Sequence, residues 1–401
     1  MNREKPVKRL RLSFVAVVAC VSLLAGQVVR ASAREPVRRA GRGALYRIEG
    51  HRVAVLAGTP EQMGRQHGEL LKKEVLSLMQ RINEFGEKEV GGPNGLGLHA
   101  VLELIWQRTH RFIPDRHLKE MDALADATGL SRRDVYHVNV LPELFHCSGF
   151  ALKGKSTVDG KLLHGRILDY ATEAGLQDYA VTFICLPDGQ NAFVNVGYAG
   201  FIGSVTGMNA RKVAFGEMGG GGVGEWDGMP MSFLMRTGME ESDTLAEALE
   251  LFRSTPRTCE YYYVISDGKS GDARALRCTP ADFETVGYGE SHRLLPSPVE
   301  DTVLLSANDR YRKLVARVKE AYGEIDSGRA LEIMKRPVSM ESNLHCALFA
   351  PADLTLWIAH AEDPQKVENF QACDQPYLKL DFGRWLQRAR QEDSRAHARS
   401  N

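Results

Sequence analysis

The chain lacks an excess of charge of either sign, since its 401 residues include 51 Lys and Arg and 51 Asp and Glu. Such a balance provides neither the basic surface that holds nucleic acid nor an acidic tail. The sequence has no internal repeat, and no apolar run after the N-terminus is long enough to span a membrane. The charge balance argues against nucleic acid and other partners that bind through bulk charge. The lack of an internal repeat argues against a repeat architecture.

The sequence also lacks the spacings that hold metals and nucleotides. Its seven cysteines form no Cys-x-x-Cys pair and no Cys/His spacing of a zinc site. Residues 219–224 match the pattern Gly-x-Gly-x-x-Gly, but the stretch 225–230 is typical of a loop, and no Walker lysine follows. We therefore predict no metal and no organic cofactor, and we interpret the glycines as a flexible loop beside a pocket.

The N-terminus, in contrast, has the three parts of a secretory signal peptide. A basic start is followed by an apolar run over residues 12–26 and by the small-residue site Ala31-Ser32-Ala33. We predict that residues 1–33 are removed and that the protein is exported, to the periplasm or outside the cell, with no stable membrane span afterwards. The short apolar run is also compatible with an uncleaved anchor.

Export bears on the cysteines, because oxidising compartments permit disulfides. Removal of the signal peptide takes away Cys20 and leaves six thiols. If one of these is a free nucleophile, the other five allow at most two disulfides, whose pairing cannot be assigned from the spacing.

Two kinds of hydrophobic pattern divide the rest of the chain at residue 147. Residues 34–146 are predicted to form a short strand at 52–56 and then helices, the first beginning at Pro60. From residue 147 the period changes to two, and helices are predicted only after Thr244 and over 309–322. The predicted strands are 148–153, 161–168, 179–186, 191–197, 212–217, 260–266, 273–278, 282–288, 302–306, 345–350 and 354–360. This order of strands and helices favours a layered sandwich over alternating βαβ units. The polar stretch from about residue 387 is predicted to be a flexible tail.

A cysteine opens the first strand after this boundary. Two apolar runs joined at Asp159-Gly160 predict a β-hairpin, with Cys147 at the start of one strand and Arg166 and Asp169 at the end of the other. The hairpin brings together a thiol, a cation and a carboxylate, a set typical of an activated nucleophile. Two simpler interpretations stay open, namely Cys147 as a buried apolar residue and Arg166 with Asp169 as a structural ion pair.

Five segments carry a wider pattern: GTPEQMGRQHG at 58–68, CSGFA at 147–151, GRILDY at 165–170, TGMN at 206–209 and SANDRY at 306–311. In this order and spacing they resemble the N-terminal-nucleophile (Ntn) hydrolases of the penicillin acyltransferase-like family, which are related to choloylglycine hydrolase and acid ceramidase. The similarity runs from about residue 52 to residue 380. It implies an α+β fold, a four-layer αββα sandwich, with a mainly helical propeptide (34–146) followed by a catalytic segment (147–401).

The resemblance also implies a mechanism in which the Cys147 thiol attacks the carbonyl of His146 and cuts the chain there. The new α-amine of Cys147 then acts as the general base, since its ordinary pKa of about 7.7–8 suits neutral pH. Arg166 favours the thiolate, Asp169 orients the ammonium group and Asn308 donates to the oxyanion.

The second oxyanion donor is predicted to be a main-chain amide near Met218 and Gly219, which with Tyr198 border the substrate pocket. Residues 206–209 resemble the turn that precedes an active-site strand in the family. Asn308 also stands where it could cap the helix that follows.

The implied function is hydrolysis or acyl transfer at the linear amide bond of N-acyl amides, small peptides or acylated amines. An acyl-thioester forms on Cys147, and the two cut segments remain associated. The chain departs from the family at His146, where relatives often have a small residue, at Ile167 and at 309–310. Two alternatives remain: a papain-type cysteine protease, whose Cys-Gly-x-Cys-Trp context is missing, and an exported binding protein that keeps the fold without turnover.

Overall fold

The alternating pattern after residue 147 forms β-sheets in the computed structural model of the chain, which describes residues 35–90, 97–141 and 147–400. From Pro36 onward the described residues form one compact unit. The predicted signal peptide, residues 1–33, and the predicted cleavage residue His146 lie outside the described residues.

The strands in chain order are β1 (Arg38–Ala40), β2 (Gly43–Ile48), β3 (His51–Gly58), β4 (Cys147–Gly154), β5 (Gly160–Asp169), β6 (Ala180–Pro187), β7 (Phe193–Tyr198), β8 (Thr206–Asn209), β9 (Val213–Gly219), β10 (Tyr261–Asp267), β11 (Asp272–Cys278), β12 (Phe283–Val286), β13 (Thr302–Leu305), β14 (Asn343–Ala350), β15 (Thr355–His360) and β16 (Leu378–Asp381). The helices are α1 (Pro60–Val90), α2 (Leu98–Thr109), α3 (Asp115–Thr128), α4 (Arg132–Val140), α5 (Met231–Glu241), α6 (Leu245–Ser254), α7 (Asn308–Glu320), α8 (Ser327–Met334) and α9 (Phe382–Ser400).

The described strands make two sheets. The large sheet has the order β1-β2-β3-β6-β7-β8-β9-β10-β11-β12, and the small sheet has the order β13-β4-β5-β14-β15-β16. Strands β4 and β5 of the small sheet pack on β9 of the large one, so the two sheets are stacked face to face.

Helices cover both sheets. Helices α1, α5 and α6 pack on strands β3, β9 and β10 of the large sheet, whereas α7, α8 and α9 pack on β13, β14 and β15 of the small one. Helices α2, α3 and α4 belong to the N-terminal segment and pack with α1 and with one another. The order helix, sheet, sheet, helix confirms the predicted four-layer αββα class.

The N-terminal segment supplies strands as well as helices to this architecture. Strand β3 pairs in parallel with β6, with Val53 opposite Thr182 and Leu56 opposite Cys185. All four of these side chains are buried. The segment that the sequence suggests is a propeptide is therefore part of the large sheet, and its three strands extend that sheet beyond β6.

Most elements appear where the sequence predicts them, and all twelve predicted strands, including the one at 52–56, are present with small shifts at their ends. The four-residue strand β8 was expected as a turn, because so short a stretch shows little alternation. Helix α5 was missed for a different reason: every residue from Met231 to Glu240 is buried, so the helix has no polar face to reveal its period. Strands β1, β2 and β16 and helix α8 were also not predicted. Residues predicted as a flexible tail lie in α9, and their flexibility stays a prediction.

Candidate active site

The predicted hairpin is present as β4 and β5, which pair antiparallel with Cys147 opposite Leu168. Its turn is stabilised by Asp159, whose Oδ1 accepts a hydrogen bond from the main-chain amide of Lys161 at 3.0 Å. Gly160 has a φ of 72°, in the left-handed region that a glycine adopts without strain. Because of this turn, the first residue of β4 lies beside the last residues of β5.

Arg166 is the charged neighbour of the Cys147 thiol. Its Nη2 lies 3.2 Å from Sγ of Cys147 and 3.3 Å from Oε2 of Glu217 on β9. Its Nε donates to the main-chain oxygen of Val205 at 3.3 Å. Arg166 is completely buried, so its charge depends on these partners for compensation.

Glu217 was not among the predicted site residues, although the sequence contained a signal for it. It stands within the apolar strand β9 and is buried at 3 % exposure, which is rare for a carboxylate unless a cation pairs with it. The sequence alone does not reveal which cation that is, because the pairing joins strands of two different sheets.

Burial dominates the electrostatics of the thiol. It raises the pKa of Cys147 to about 12, with Arg166 acting in the opposite direction and Glu217 and Asp169 adding to the rise. The thiol is therefore protonated at neutral pH in the uncut chain. A nucleophilic role requires a base that removes this proton.

Asp169 does not pair with Arg166 but is held by three other donors. Its Oδ2 accepts a hydrogen bond from Nη1 of Arg310 at 2.8 Å. Its Oδ1 accepts from the main-chain amide of Met340 at 3.0 Å and from Nδ2 of Asn343 at 3.2 Å. Burial raises the pKa of Asp169, and these donors lower it. The interpretation of Arg166 and Asp169 as an ion pair is therefore wrong. Arg166 pairs with Glu217, and Asp169 pairs with Arg310.

The segment predicted to carry the oxyanion donor lies beside the nucleophile strand. Oγ of Ser306 is 2.8 Å from Oγ of Ser148, which also accepts a hydrogen bond from Nη1 of Arg310 at 3.0 Å. Asn308 lies between Ser306 and Arg310 in the chain, is exposed, and has a left-handed φ of 52°, which Asn tolerates better than most residues. Ala307 takes the N-cap position of α7, so Asn308 is not the cap. Its role as oxyanion donor stays a prediction.

A cavity of about 60 Å³ lies beside the end of β5, and we call it the apolar cavity. Leu168, which is opposite Cys147, lines it together with Tyr170, Tyr198 and Phe201. Helices of the N-terminal segment complete the wall with Leu78, Ile82, Val138 and Leu141. Both sides of the predicted cleavage point thus contribute to one cavity.

The three residues predicted to border the substrate pocket have different positions. Tyr198 lines the apolar cavity, and its hydroxyl is 3.0 Å from Nδ1 of the buried His345. Met218 and Gly219 are not among the described residues that line this cavity. Met218 is buried against Gly149, and Gly219 ends β9 opposite Tyr261.

The loop over residues 199–205, which connects Tyr198 to Val205, is held by the N-terminal helices. Oδ1 of Asn139 accepts from the amide of Ile202 at 2.8 Å, and its Nδ2 donates to the carbonyl of Gly200 at 3.0 Å. Nε2 of His67 accepts from the amide of Gly200 at 2.8 Å. Because Val205 in turn binds Arg166, these contacts connect α1 and α4 to the charged neighbour of the thiol.

We expect Asn139→Ala to loosen this loop and to slow any reaction that depends on Arg166. Two buried partners of Asn139 would lose their hydrogen bonds, which typically lowers the free energy of unfolding by about 1–3 kcal/mol. Urea unfolding and the rate of appearance of cut chain measure the two effects. Asn191→Ala is the matched control, because Asn191 binds Asp243 on a different loop. An unchanged reaction rate in Asn139→Ala would show that the loop has no influence on Arg166.

Four further observations concern the described part of the chain. None of its helices has the length and hydropathy that a membrane crossing requires. The residues covered by the structure contain no group of three His, Cys, Asp or Glu side chains placed to hold a metal ion. The six cysteines from Cys147 to Cys373 are buried free thiols. No described histidine is hydrogen-bonded to Cys147, so a papain-type pair gains no support.

Known proteins resemble the chain over part of its length. No model of a protein family matches the chain. Protein dcd1B of Dictyostelium discoideum is 28 % identical over 261 residues, which cover 58 % of this chain and 52 % of that protein. The N-acylethanolamine-hydrolyzing acid amidase of Cavia porcellus is 28 % identical over 187 residues, which cover 43 % of this chain and 51 % of the amidase. The chain therefore spans about half the length of these curated relatives.

Among solved structures, the Caenorhabditis elegans ortholog of N-acylethanolamine-hydrolyzing acid amidase aligns with 58 % of this chain and 100 % of its own. The TM-score is 0.45 and the sequence identity is 16 %. The sequence matches confirm the predicted resemblance, and the chain is similar to amide hydrolases of the cysteine Ntn class.

Proposed function

We propose that the protein is an exported amide hydrolase that cuts its own chain before Cys147 and then uses that residue as its nucleophile. The observation that carries the proposal is the buried contact between Sγ of Cys147 and the guanidinium of Arg166, at 3.2 Å, beside the apolar cavity. The packing of a buried thiol needs no charged neighbour, and a guanidinium at this distance would stabilise a thiolate once the proton is removed.

In the proposed maturation, Sγ of Cys147 attacks the carbonyl carbon of His146. The bond between that carbon and the Cys147 nitrogen breaks as a thioester forms, and the thiol proton ends on the released amine. Water then hydrolyses the thioester, which regenerates the thiol. The products are a new carboxylate on His146 and a new α-amine on Cys147.

The new amine supplies the base that the site needs. The Cys147 thiol is neutral near pH 7 because burial raises its pKa to about 12. An α-amine has an ordinary pKa of about 7.7–8, so near pH 7 about a tenth to a sixth of it is unprotonated and able to accept the thiol proton. Arg166 would stabilise the resulting thiolate, and Asp169 would hold the ammonium group in place.

The acyl part of the substrate is proposed to occupy the apolar cavity. Leu78, Ile82, Leu168 and Phe201 offer it an apolar wall, which favours an alkyl or aryl chain over a charged group. Attack on its amide carbonyl gives an acyl-thioester on Cys147 and an amine. Asn308 is proposed to donate to the oxyanion. The similarity to an N-acylethanolamine-hydrolyzing amidase supports N-acyl amides as the substrate class, and either water or an amine can resolve the acyl-enzyme.

The two segments are proposed to stay together after the cut. Strand β3 contributes a buried ladder of parallel hydrogen bonds to β6, and α1 covers the same part of the sheet. Loss of the N-terminal segment would expose this edge and one wall of the apolar cavity.

Intact-mass spectrometry of the purified protein tests the proposal directly. We expect two fragments, the second beginning at Cys147, and release of fatty acid when the cut protein is incubated with N-acyl ethanolamides. An intact chain with acyl-probe labelling at Cys147 would instead favour a papain-like enzyme. An intact chain without labelling or turnover would favour a binding protein.

A further inference from the structure

One row of side chains runs across the small sheet from the proposed nucleophile. Cys147 on β4 lies opposite Leu168 on β5, and Leu168 lies opposite His345 on β14. Residues that face each other on neighbouring strands have their side chains on the same side of the sheet. Because neighbouring strands are about 4.8 Å apart, the main chain at His345 is about 10 Å from that at Cys147.

The apolar cavity lies along this row. Its wall includes Leu168, the middle residue of the row, and Tyr198, whose hydroxyl is 3.0 Å from Nδ1 of His345 at the far end. An acyl chain that is bound to Sγ of Cys147 and passes Leu168 would therefore run toward the ring of Tyr198.

His345 holds the Tyr198 ring in this position. The histidine is completely buried, and its Nε2 is 2.8 Å from Oγ1 of Thr206. Burial lowers the pKa of His345, with Arg166 and His360 acting in the same direction, so the ring is uncharged at neutral pH. An uncharged imidazole has one donor and one acceptor nitrogen, and a hydroxyl can serve as either partner. Both contacts are thus hydrogen bonds at once, and together they fix the imidazole against which the Tyr198 hydroxyl rests.

The cavity is also small for a substrate site. Its volume of about 60 Å³ is well below the range of about 300–1,000 Å³ that is typical of pockets for drug-sized ligands. A long acyl chain would fit only if the far end of the cavity moved. The hydrogen bonds of His345 oppose such a movement of Tyr198.

We infer that Tyr198 is the end wall of the acyl site and that His345 is the positioning residue that holds it there, so that the enzyme prefers short acyl chains of about the length of hexanoyl. The inference rests on the proposed amide hydrolysis and adds the length of the acyl chain to its substrate class. Tyr198 would touch the end of the chain, whereas His345 would act only through Tyr198.

The dependence of kcat/KM on chain length tests this inference in the cut wild-type protein. Each methylene group that enters an apolar site typically raises the affinity about fourfold, so the length at which the rise stops marks the wall. With the N-acetyl, N-butanoyl, N-hexanoyl and N-decanoyl amides of ethanolamine, we expect kcat/KM to rise as far as hexanoyl and to fall at decanoyl.

Variants then locate the wall through the ratio of kcat/KM for decanoyl to that for hexanoyl. Tyr198→Ala should raise this ratio at least about tenfold, because further methylene groups can enter. His345→Phe keeps a ring but loses both hydrogen bonds, and it should raise the ratio about threefold, nearly the effect of one methylene group. In the Tyr198→Ala background it should add nothing, as expected for a residue that acts through Tyr198. The ratio does not depend on how much of a variant folds.

Tyr46→Ala is the matched control and should leave the ratio unchanged. Tyr46 is a buried tyrosine that packs on Trp385 and does not line the apolar cavity. Equal ratios in Tyr198→Ala and Tyr46→Ala would overturn the inference, and so would a wild-type kcat/KM that still rises at decanoyl. A further effect of His345→Phe in the Tyr198→Ala background would exclude the role of His345.

A wild-type protein that turns over none of these amides would contradict the proposed function instead. Calorimetric titration of the uncut Cys147→Ala protein with the same amides then decides the inference, because the cavity is present in the uncut chain. The ratio of the two Kd values should change in the variants as described for kcat/KM. Failure of both hexanoyl and decanoyl amides to bind would overturn the inference as well.

Discussion

Replacement of Cys147 by alanine should leave the chain uncut and lower amide hydrolysis by more than about 10⁴-fold. The substitution removes the only atom that can form the thioester in either proposed reaction, and loss of a nucleophile has an effect of this size in other hydrolases. The side chain is small and the site is next to a cavity, so the fold should persist. Intact-mass spectrometry and a fatty-acid release assay measure the two losses.

Cys278→Ala is the matched control, because Cys278 is also a buried free thiol in a strand of the sandwich. It should be cut and active like the wild type. Cys147→Ser adds a graded case, since a hydroxyl keeps the geometry but is a weaker nucleophile, and we expect slow or partial cutting. A Cys147→Ala chain that is still cut at residue 147 would exclude self-processing by this thiol.

Asp169→Asn should slow cutting by about a hundredfold or more. Asp169 accepts hydrogen bonds with both carboxylate oxygens, from Arg310 on one side and from Met340 and Asn343 on the other. An amide in its place turns a donor toward one of these donors and removes the negative charge that would hold the ammonium group. We also expect the free energy of unfolding to fall by about 1–3 kcal/mol.

Asp267→Asn separates the two effects. Asp267 is a buried carboxylate at 3 % exposure that accepts from the amides of Leu245 and Lys269, away from the thiol. It should lose stability to a similar degree and yet be cut at the normal rate. Normal cutting in Asp169→Asn at the same loss of stability would mean that this carboxylate has a structural role alone.

The hairpin shows how much of the site the sequence could predict. The turn at Asp159-Gly160 and the alternation on either side determine which residues of β4 and β5 face each other, so the proximity of Cys147 and Arg166 follows from local rules. The partners of these charges do not follow from such rules. Glu217, Arg310 and Asn343 are brought in from three other elements, and their choice depends on how the two sheets and α7 pack.

The same difference between local patterns and long-range packing explains which elements of the fold were predicted wrongly. Strands with a clear alternation were predicted, whereas α5 has no exposed face and β8 is too short to show a period. The predicted pocket residues Met218 and Gly219 were inferred from the position of a strand end. The wall of the apolar cavity, by contrast, includes side chains of α1 and α4, which precede the proposed cut. The residues around Cys147 in the sequence do not indicate that these helices lie beside the cavity.

The parallel pairing of β3 with β6 has a kinetic consequence for a chain that is cut at residue 147. Before the cut, this pairing forms within one molecule, and its rate of formation is independent of concentration. After the cut, the same ladder joins two polypeptides, so any refolding becomes a bimolecular reaction whose yield depends on dilution. The cut would therefore turn a reversible folding unit into an assembly that, once unfolded in dilute solution outside the cell, is not rebuilt.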